Sequence, residues 1–366
     1  MSTSTPKVSI IVPNYNHARF LPQRLNSILR QTFQDFELIL LDDSSTDDSR
    51  SILWQYGRDP RVRIEFNEVN STSVFKQWNK GVRLARGEYV WIAESDDYAD
   101  ERLLQRLTAR LDAEPRAALA YCRSWRVVHD RVDGFVDPLL PGREPDRWTT
   151  DYCEDGHEEC CNYLVRCNTV PNASAVVFRK MAYHRVGGAD ESLYLCGDWK
   201  LWAAIALTGK IVYVAEPLNY FRFHEATVRS LCKHSDEETF RVQWWIVENA
   251  TRPEFHKSDE RAKLALANCW MHLAFQNYPD FPDITRVAVQ RVRELGFKRY
   301  IPPFGTVRGQ FLRRVIGWKA TKRMSMLSHR CSAWVRNALA ETVESSERWL
   351  HLRRRRTSAP NLDTSN

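Results

Sequence analysis

Short apolar segments that alternate with helical patterns constrain this chain more than any other feature of its sequence. The segments VSIIV from Val8, FELILL from Phe36 and EYVWIA from Glu88 are rich in β-branched and aromatic residues, which is typical of strands buried on both faces of a sheet. Between the first two, apolar residues recur at near-helical spacing from Phe20 to Leu29. This alternation predicts an α/β fold with a mostly parallel, Rossmann-like sheet flanked by helices.

The turns that follow the predicted strands are polar and acidic. DDSSTDDS at Asp42–Ser49 follows the second strand, and ESDD at Glu94–Asp97 follows the fourth. Ligands of open α/β sheets bind beyond the carboxyl ends of the strands, so both turns are candidates for a functional site. The helix before the fourth strand is predicted to stop at Gly87, where a glycine favours a left-handed cap.

The character of the chain changes towards its C-terminus. Residues 1–232 are predicted to form the α/β domain, and residues 233–304 a helical extension with aromatic anchors. Residues 305–366 are predicted to be a basic, amphipathic segment that ends in a mobile tail. For this segment two interpretations stay open: attachment to an anionic membrane surface, or packing on the domain with a solvated basic end.

Composition excludes several classes of protein. No window approaches the roughly 18 apolar residues of a membrane span, and the stretch before Val8 lacks the apolar run of a secretory signal, so a cytoplasmic location is expected. The nine cysteines are expected to be reduced. Four of them crowd between Cys153 and Cys167 without a C-x-x-C pair, which favours a buried helix over a zinc site. Positive charge confined to the tail gives no reason to expect a nucleic-acid partner.

The acidic turn ESDD is the most informative cluster of polar residues. The carboxylates of Glu94, Asp96 and Asp97 repel one another unless a positive group joins them. A divalent cation such as Mg²⁺ or Mn²⁺ is the simplest such group, and it can also neutralise a diphosphate leaving group. A solvated cap of the helix that begins near Glu101 explains the same residues, so both interpretations stay open.

Two further acids are open to two interpretations each. Asp43 can accept an N–H from the edge of a nucleobase, or it can cap a turn. Asp198, in the segment GDWKLW, is a candidate for chemistry or the N-cap of the helix that follows it. On residue types alone, capping is the simpler explanation of both acids.

Five stretches of the sequence, taken together, resemble the family 2 glycosyltransferases of the GT-A fold. They are VSIIVPNYN at Val8–Asn16, QTFQDFELILLDDSSTDDS at Gln31–Ser49, ARGEYVWIAESDD at Ala85–Asp97, VGGADES at Val186–Ser192 and GDWKLW at Gly197–Trp202. Their order and spacing carry the resemblance, which covers about residues 6–230. It implies an inverting enzyme that transfers a sugar from a nucleotide-diphosphate sugar, with a UDP-sugar as the expected donor.

The resemblance also implies an acceptor and a cellular setting. The acceptor is expected to be a glycan or a lipid-linked molecule, in the synthesis of a surface polysaccharide or lipopolysaccharide of the cell envelope. Together with the basic tail, this places the protein in the cytoplasm or at the cytosolic face of the inner membrane.

The resemblance assigns roles to individual residues as well. Residues that contact the nucleotide sugar are Pro13, Tyr15, Asn16, Asp43 and Asp96. A divalent metal, Mn²⁺ or Mg²⁺, is expected to bind Asp97 as its main ligand, with Asp96 and His224 as further candidates. Asp198 matches the general base that takes the proton from the acceptor hydroxyl.

Departures from the family pattern keep an alternative in view. The glycine and arginine that are usual in the helix carrying Lys76 and Lys80 are absent, which leaves the phosphate contacts open. The alternative is a catalytically inactive nucleotide- or glycan-binding protein of the same fold. Phosphotransfer proteins with paired aspartates fit less well, because the acids here follow the second and fourth strands.

Overall fold

Strands and helices alternate through the first part of the chain, as the sequence predicts. The computed structural model describes residues 5–138, 146–224, 235–250, 267, 287, 290–294 and 296. The strands are β1 (Val8–Asn14), β2 (Phe36–Asp42), β3 (Val62–Phe66), β4 (Tyr89–Ile92), β5 (Tyr98–Ala99), β6 (Ala117–Val128), β7 (Arg131–Phe135), β8 (Tyr152–Asp155), β9 (Val176–Arg179) and β10 (Lys210–Phe223). The helices are α1 (Leu21–Leu29), α2 (Ser49–Tyr56), α3 (Val74–Leu84), α4 (Leu103–Ala113), α5 (Gly156–Glu159), α6 (Lys180–Arg185), α7 (Gly197–Ala206) and α8 (Ser235–Ala250).

The strands form one sheet in the order β3-β2-β1-β4-β9-β6-β10-β5, with β7 paired to β6 and β8 paired to β10. The first four of these strands are parallel. Strand β9 runs antiparallel to both of its neighbours, so the second half of the sheet is mixed rather than mostly parallel. The α/β fold class is confirmed, and the parallel arrangement holds for its N-terminal half.

Helices cover both faces of the central strands, which explains why every residue of β1 is buried. On one face, alternate residues such as Ile10 pack with the leucines of α1 and α4. On the other face, Ile11 lies against Gly81 of α3. Burial of each side chain of this size stabilises the fold by roughly 1.5–3 kcal/mol. Strand β1 is therefore held firmly in the core.

The connection from β4 to β5 positions the acidic turn. Strand β4 lies beside β1 in the middle of the sheet, whereas β5 pairs with β10 at one end. Residues 93–97 therefore cross the sheet along the edge where β1, β2, β4 and β10 end. The same edge carries the segments that follow Asn14, Asp42 and Phe223, so residues far apart in the sequence meet there.

Gly87 has a different role from the predicted one. It is not among the described residues with positive φ, so the prediction of a left-handed cap is wrong. A Cβ atom at this position would lie 2.6 Å from the backbone nitrogen of Ser9 and 2.8 Å from the carbonyl carbon of Val8. The Gly87 N–H also donates to Ser9 Oγ at 2.8 Å. Glycine is needed because the chain passes directly against β1.

The predicted buried helix is confirmed for Cys160 and Cys161 only, because Cys153 is exposed in β8 and Cys167 lies beyond the helix and is half-buried. Helix α5 continues as a π-helical turn over Cys160–Leu164, and the Cys160 and Cys161 side chains are buried. Within the described ranges, the only group of three side chains placed to hold a metal ion lies elsewhere.

Of the predicted extension at 233–304, the structure describes α8 and a few residues beyond it. The predicted basic segment at 305–366 lies outside the described residues, so its proposed membrane attachment stays a prediction. Among the helices that the structure describes, none has the length and apolar content needed to cross a membrane.

We expect Gly87→Ala to lower the free energy of unfolding by about 1–3 kcal/mol, because the new Cβ atom meets the backbone of β1. Gly87→Asn should cost at least as much, whereas a left-handed cap would tolerate asparagine. Urea denaturation measures both. Gly134→Asn is the control, since φ of Gly134 is +94° and nothing lies within 4 Å of a Cβ atom there. An asparagine at position 87 that leaves stability unchanged would contradict the assignment.

Candidate functional site

The adjacent acids Asp96 and Asp97 face different surroundings. Asp97 is buried, and its two carboxylate oxygens accept from the Arg222 backbone N–H and from Asn172 Nδ2, each at 2.9 Å. Asp96 is half-buried, and its Oδ2 lies 3.0 Å from Nε2 of His224. Two carboxylates that are neighbours in the sequence thus differ in exposure, with Asp97 in the protein interior and Asp96 partly accessible.

The protonation of the three acids follows from these surroundings. Burial, with the nearby Asp96 charge, raises the pKa of Glu94 to about 8 and the pKa of Asp97 to about 6. Burial acts on Asp96 in the same direction, but the hydrogen bond from His224 and the charges of His17 and His224 outweigh it, so the pKa of Asp96 is lowered. Asp96 is therefore the acid of the turn that most readily carries a negative charge.

Three side chains at this edge can hold a metal ion together. The ligand atoms of His17, Asp96 and His224 all lie within 4.8 Å of one another. Nδ1 of His17 is 2.8 Å from Ser95 Oγ, which fixes the ring. Burial lowers the pKa of His17, which favours the neutral imidazole that metals bind. The group contains the predicted residues Asp96 and His224 but not Asp97, whose role as a metal ligand stays a prediction.

The protein itself supplies positive charge to the acidic turn. Arg24 is completely buried, and it donates from Nε to the Glu94 carbonyl oxygen at 2.7 Å. Arg222 is also buried and donates from Nη1 to the Asp96 carbonyl oxygen at 2.6 Å. The sequence favours a divalent cation as the group that offsets the repulsion between the carboxylates. That prediction is incomplete, because two arginines of the protein already lie against the turn.

Residues predicted to contact the nucleotide lie at the same edge. Pro13 is buried in β1, and Tyr15, just beyond it, is 47% exposed. Asn16 has a φ of 55°, and its Oδ1 accepts from the Thr46 N–H at 2.8 Å. This hydrogen bond ties the loop after β1 to the loop after β2. The structure brings these residues together, and their contact with a nucleotide stays a prediction.

Asp43 organises the loop that precedes α3. Its carboxylate accepts four hydrogen bonds of 2.6–2.9 Å, from Asn67 Nδ2, the Ser71 N–H, Ser71 Oγ and Gln77 Nε2. Helix α2 has Asp48 at its N-cap position, so Asp43 does not cap that helix. Oδ2 accepts only the hydroxyl of Ser71 among these donors, which leaves that oxygen able to accept a further hydrogen bond.

We expect Asp43→Ala to lower the free energy of unfolding by about 2–4 kcal/mol without any ligand, because buried donors lose their acceptor. Urea denaturation measures the change, and Asp133→Ala on exposed β7 is the control. A residue that served only to bind a nucleobase would leave the stability of the unliganded protein unchanged, and that result would contradict the organising role.

Asp198 lies in the first turn of α7 rather than at its N-cap. Cys196 holds the N-cap position, so the capping interpretation of Asp198 is wrong. The Asp198 Oδ2 atom accepts from Asn168 Nδ2 at 3.2 Å, and Oδ1 accepts from the Trp199 N–H at 2.6 Å. Trp199 and Trp202 are buried, as expected of core residues. A carboxylate in the first turn of a helix is stabilised by the helix dipole.

A short segment joins the two acids that the sequence singles out. Asn172 donates to Asp97, and Asn168, four residues earlier, donates to Asp198. The Cα atoms of residues 168 and 172 can be at most about 14 Å apart. The 168–172 segment therefore contacts both the acidic turn and the first turn of α7 and links them.

Sequence reasoning missed several residues of the site. His17 follows the nucleotide motif at the end of β1, and the rule that ligands bind at the carboxyl edge was sufficient to include it. Arg24 had a signal too, since it lies among Leu21, Leu25 and Ile28 at the spacing of a buried helix face. No sequence signal pointed to Asn172, because its contact with Asp97 depends on β9 lying antiparallel between β4 and β6.

Comparison of the fold with solved structures defines its class. The structure of Staphylococcus aureus TarS residues 1–349 in complex with UDP-GlcNAc is similar with a TM-score of 0.59 and 19% sequence identity, over 88% of this chain and 91% of that one. The fold is that of the GT-A glycosyltransferases.

Sequence comparison points to the same class. Residues 9–168 match the model of Glycosyl transferase family 2. The uncharacterized glycosyltransferase EpsJ of Bacillus subtilis is 40% identical over 136 residues, which are 37% of this chain and 38% of EpsJ. The uncharacterized glycosyltransferase alr2836 of Nostoc is 26% identical over 226 residues, which are 60% of this chain and 66% of alr2836. The chain thus spans less than two thirds of the length of either relative.

Proposed function

We propose that this chain is an inverting glycosyltransferase that moves a sugar from a nucleotide-diphosphate sugar to an acceptor hydroxyl. The observation that carries the proposal is that two functional groups are linked through one short segment of the chain. One is the set of metal-ligand side chains around Asp96, and the other is the carboxylate of Asp198, which the 168–172 segment links to the acidic turn. An inverting transfer requires these two groups on opposite sides of the reacting carbon.

Asp96, His224 and His17 would hold the divalent metal. Two imidazole nitrogens and one carboxylate suit a first-row transition ion better than Mg²⁺, which prefers oxygen ligands, so we favour Mn²⁺ of the two expected ions. When bound, the metal neutralises charge on the diphosphate leaving group. Asp97 then acts from the interior, because its contacts to Arg222 and Asn172 fix the turn that presents Asp96.

Asp198 would act as the general base. Its hydrogen bond from Asn168 orients the carboxylate. In this role it takes the proton from the acceptor hydroxyl as that oxygen attacks the anomeric carbon. The nucleotide would bind near Pro13, Tyr15, Asn16 and Asp43, where Asp43 Oδ2 can accept a further hydrogen bond from a base N–H.

The nature of the substrates is inferred from relatives. The name of TarS from Staphylococcus aureus is poly(ribitol-phosphate) beta-N-acetylglucosaminyltransferase, and TarS is 34% identical to this chain over 108 residues. This supports a UDP-sugar donor and a polymeric or lipid-linked acceptor of the cell envelope. A protein with such an acceptor would work at the cytosolic face of the inner membrane.

The direct test is turnover of a panel of UDP-sugars, with acceptor glycans and with water alone, in the presence of Mn²⁺ or EDTA. We expect Asp198→Asn to reduce kcat by about 10²–10⁴-fold while UDP binding stays unchanged, because only the proton transfer is lost. Donor binding without turnover in the wild-type chain would support the inactive alternative. Full activity of Asp198→Asn would remove that residue from the mechanism.

Asp96→Ala tests the metal site. We expect it to reduce Mn²⁺-dependent turnover by at least about 100-fold, and to abolish the Mn²⁺ dependence of UDP binding measured by calorimetry. Asp133→Ala is the matched control, because Asp133 is an exposed acid that pairs with Arg126. Unchanged Mn²⁺ dependence in Asp96→Ala would contradict the assignment.

A further inference from the structure

The loop that leads into α7 is fastened by a side chain of α8, the helix that follows the last strand of the sheet. Glu238 of α8 accepts hydrogen bonds from three consecutive backbone N–H groups: those of Tyr194 at 2.8 Å, Leu195 at 2.7 Å and Cys196 at 3.0 Å. Cys196 is the N-cap of α7, and Asp198 lies two residues further on. One carboxylate therefore holds the chain immediately before the proposed base.

The other end of this loop is fastened as well. Asn79 of α3 donates to the Ala189 carbonyl oxygen at 3.0 Å and accepts from the Ala189 N–H at 3.0 Å. The ammonium group of Lys200 lies 2.6 Å from Asp190 Oδ2. Within the described residues, Glu238 is the side chain of α8 that bonds to the loop backbone between Asp190 and Cys196. Loss of Glu238 would remove the acceptor of the N–H groups of residues 194–196, while Cys196 Sγ would keep its 3.7 Å contact with Thr239 Oγ1 of α8.

We propose that Glu238 is a positioning residue for Asp198, and that α8 is thereby part of the catalytic unit. The inference rests on the proposed function, since it gives Asp198 the role of base. A carboxylate that accepts from backbone N–H groups forms charge-assisted hydrogen bonds, which are about twice as strong as neutral ones. Three such bonds to successive residues fix both the position and the direction of the start of α7.

The geometry explains why a distant helix matters for proton transfer. A general base must lie within hydrogen-bond reach of the hydroxyl that it deprotonates. Asp198 sits in the first turn of α7, so any shift of that turn moves its carboxylate, and a displacement of about 1 Å can cost on the order of 100-fold in rate. The residues proposed to bind the donor lie in or directly after β1, β2 and β4, outside this loop.

The test compares Glu238→Ala with Glu238→Gln in the full chain. For Glu238→Ala we expect kcat to fall about 10- to 100-fold with the KM for the UDP-sugar and the Kd for UDP unchanged. Glu238→Gln retains one acceptor oxygen and should recover part of kcat. Hydrogen–deuterium exchange should show faster exchange at residues 194–196 in Glu238→Ala, with no change in the strands.

His157→Ala is the matched control. His157 Nε2 lies 2.8 Å from the carbonyl oxygen of Ala250, so this variant loosens the opposite end of α8 without touching the loop. We expect it to retain kcat and the slow exchange of residues 194–196. An equal fall of kcat in His157→Ala, or a loss in Glu238→Ala that appears in KM, would overturn the positioning role. If the wild-type chain turns over no donor, the proposed function fails, and the exchange experiment alone decides whether Glu238 holds the loop.

Discussion

The acidic turn between β4 and β5 is stable because two buried arginines lie against it. Arg24 and Arg222 bond to carbonyl oxygens of the turn, and their charges offset those of Asp96 and Asp97, while the raised pKa of Glu94, about 8, leaves that acid mostly protonated at neutral pH. Charges buried without partners would cost several kcal/mol each, so arginines and acids depend on one another. Burial lowers the pKa of Arg24 to about 10, which leaves it charged at neutral pH. The positions of the other site residues depend on this balance between the arginine and carboxylate charges.

One consequence is that the neighbouring acids Asp96 and Asp97 have different contacts and different proposed roles. Because the backbone of the turn is fixed on both sides, Asp97 points inward to Asn172, and Asp96 points outward to the two histidines. The segment that carries Asn172 also contacts Asp198 through Asn168, and Glu238 of α8 bonds to the backbone of residues 194–196 just before Asp198. Packing of the sheet thus decides which carboxylates are accessible, and those that are accessible carry the proposed chemistry.

Much of this arrangement was predictable from local patterns. The buried strands around Ile10, Leu38 and Trp91 follow from apolar runs, and the carboxyl-edge rule places Asp43 and Asp96 at one edge. Gly87 was misassigned because a helix cap and a close approach to a strand require the same residue type. The antiparallel course of β9 and the contact of Glu238 with residues 194–196 depend on long-range packing, for which the sequence carries no periodic signal.

The most direct measurement is a crystal structure of the chain with MnCl₂ and UDP, with anomalous scattering used to locate manganese. We predict one manganese peak at the edge of the sheet, coordinated by Asp96, His224 and His17, with Asp97 still bonded to Asn172. A manganese ion coordinated by Asp97 in place of Asp96, or UDP bound at this edge with no manganese peak beside it, would contradict the account.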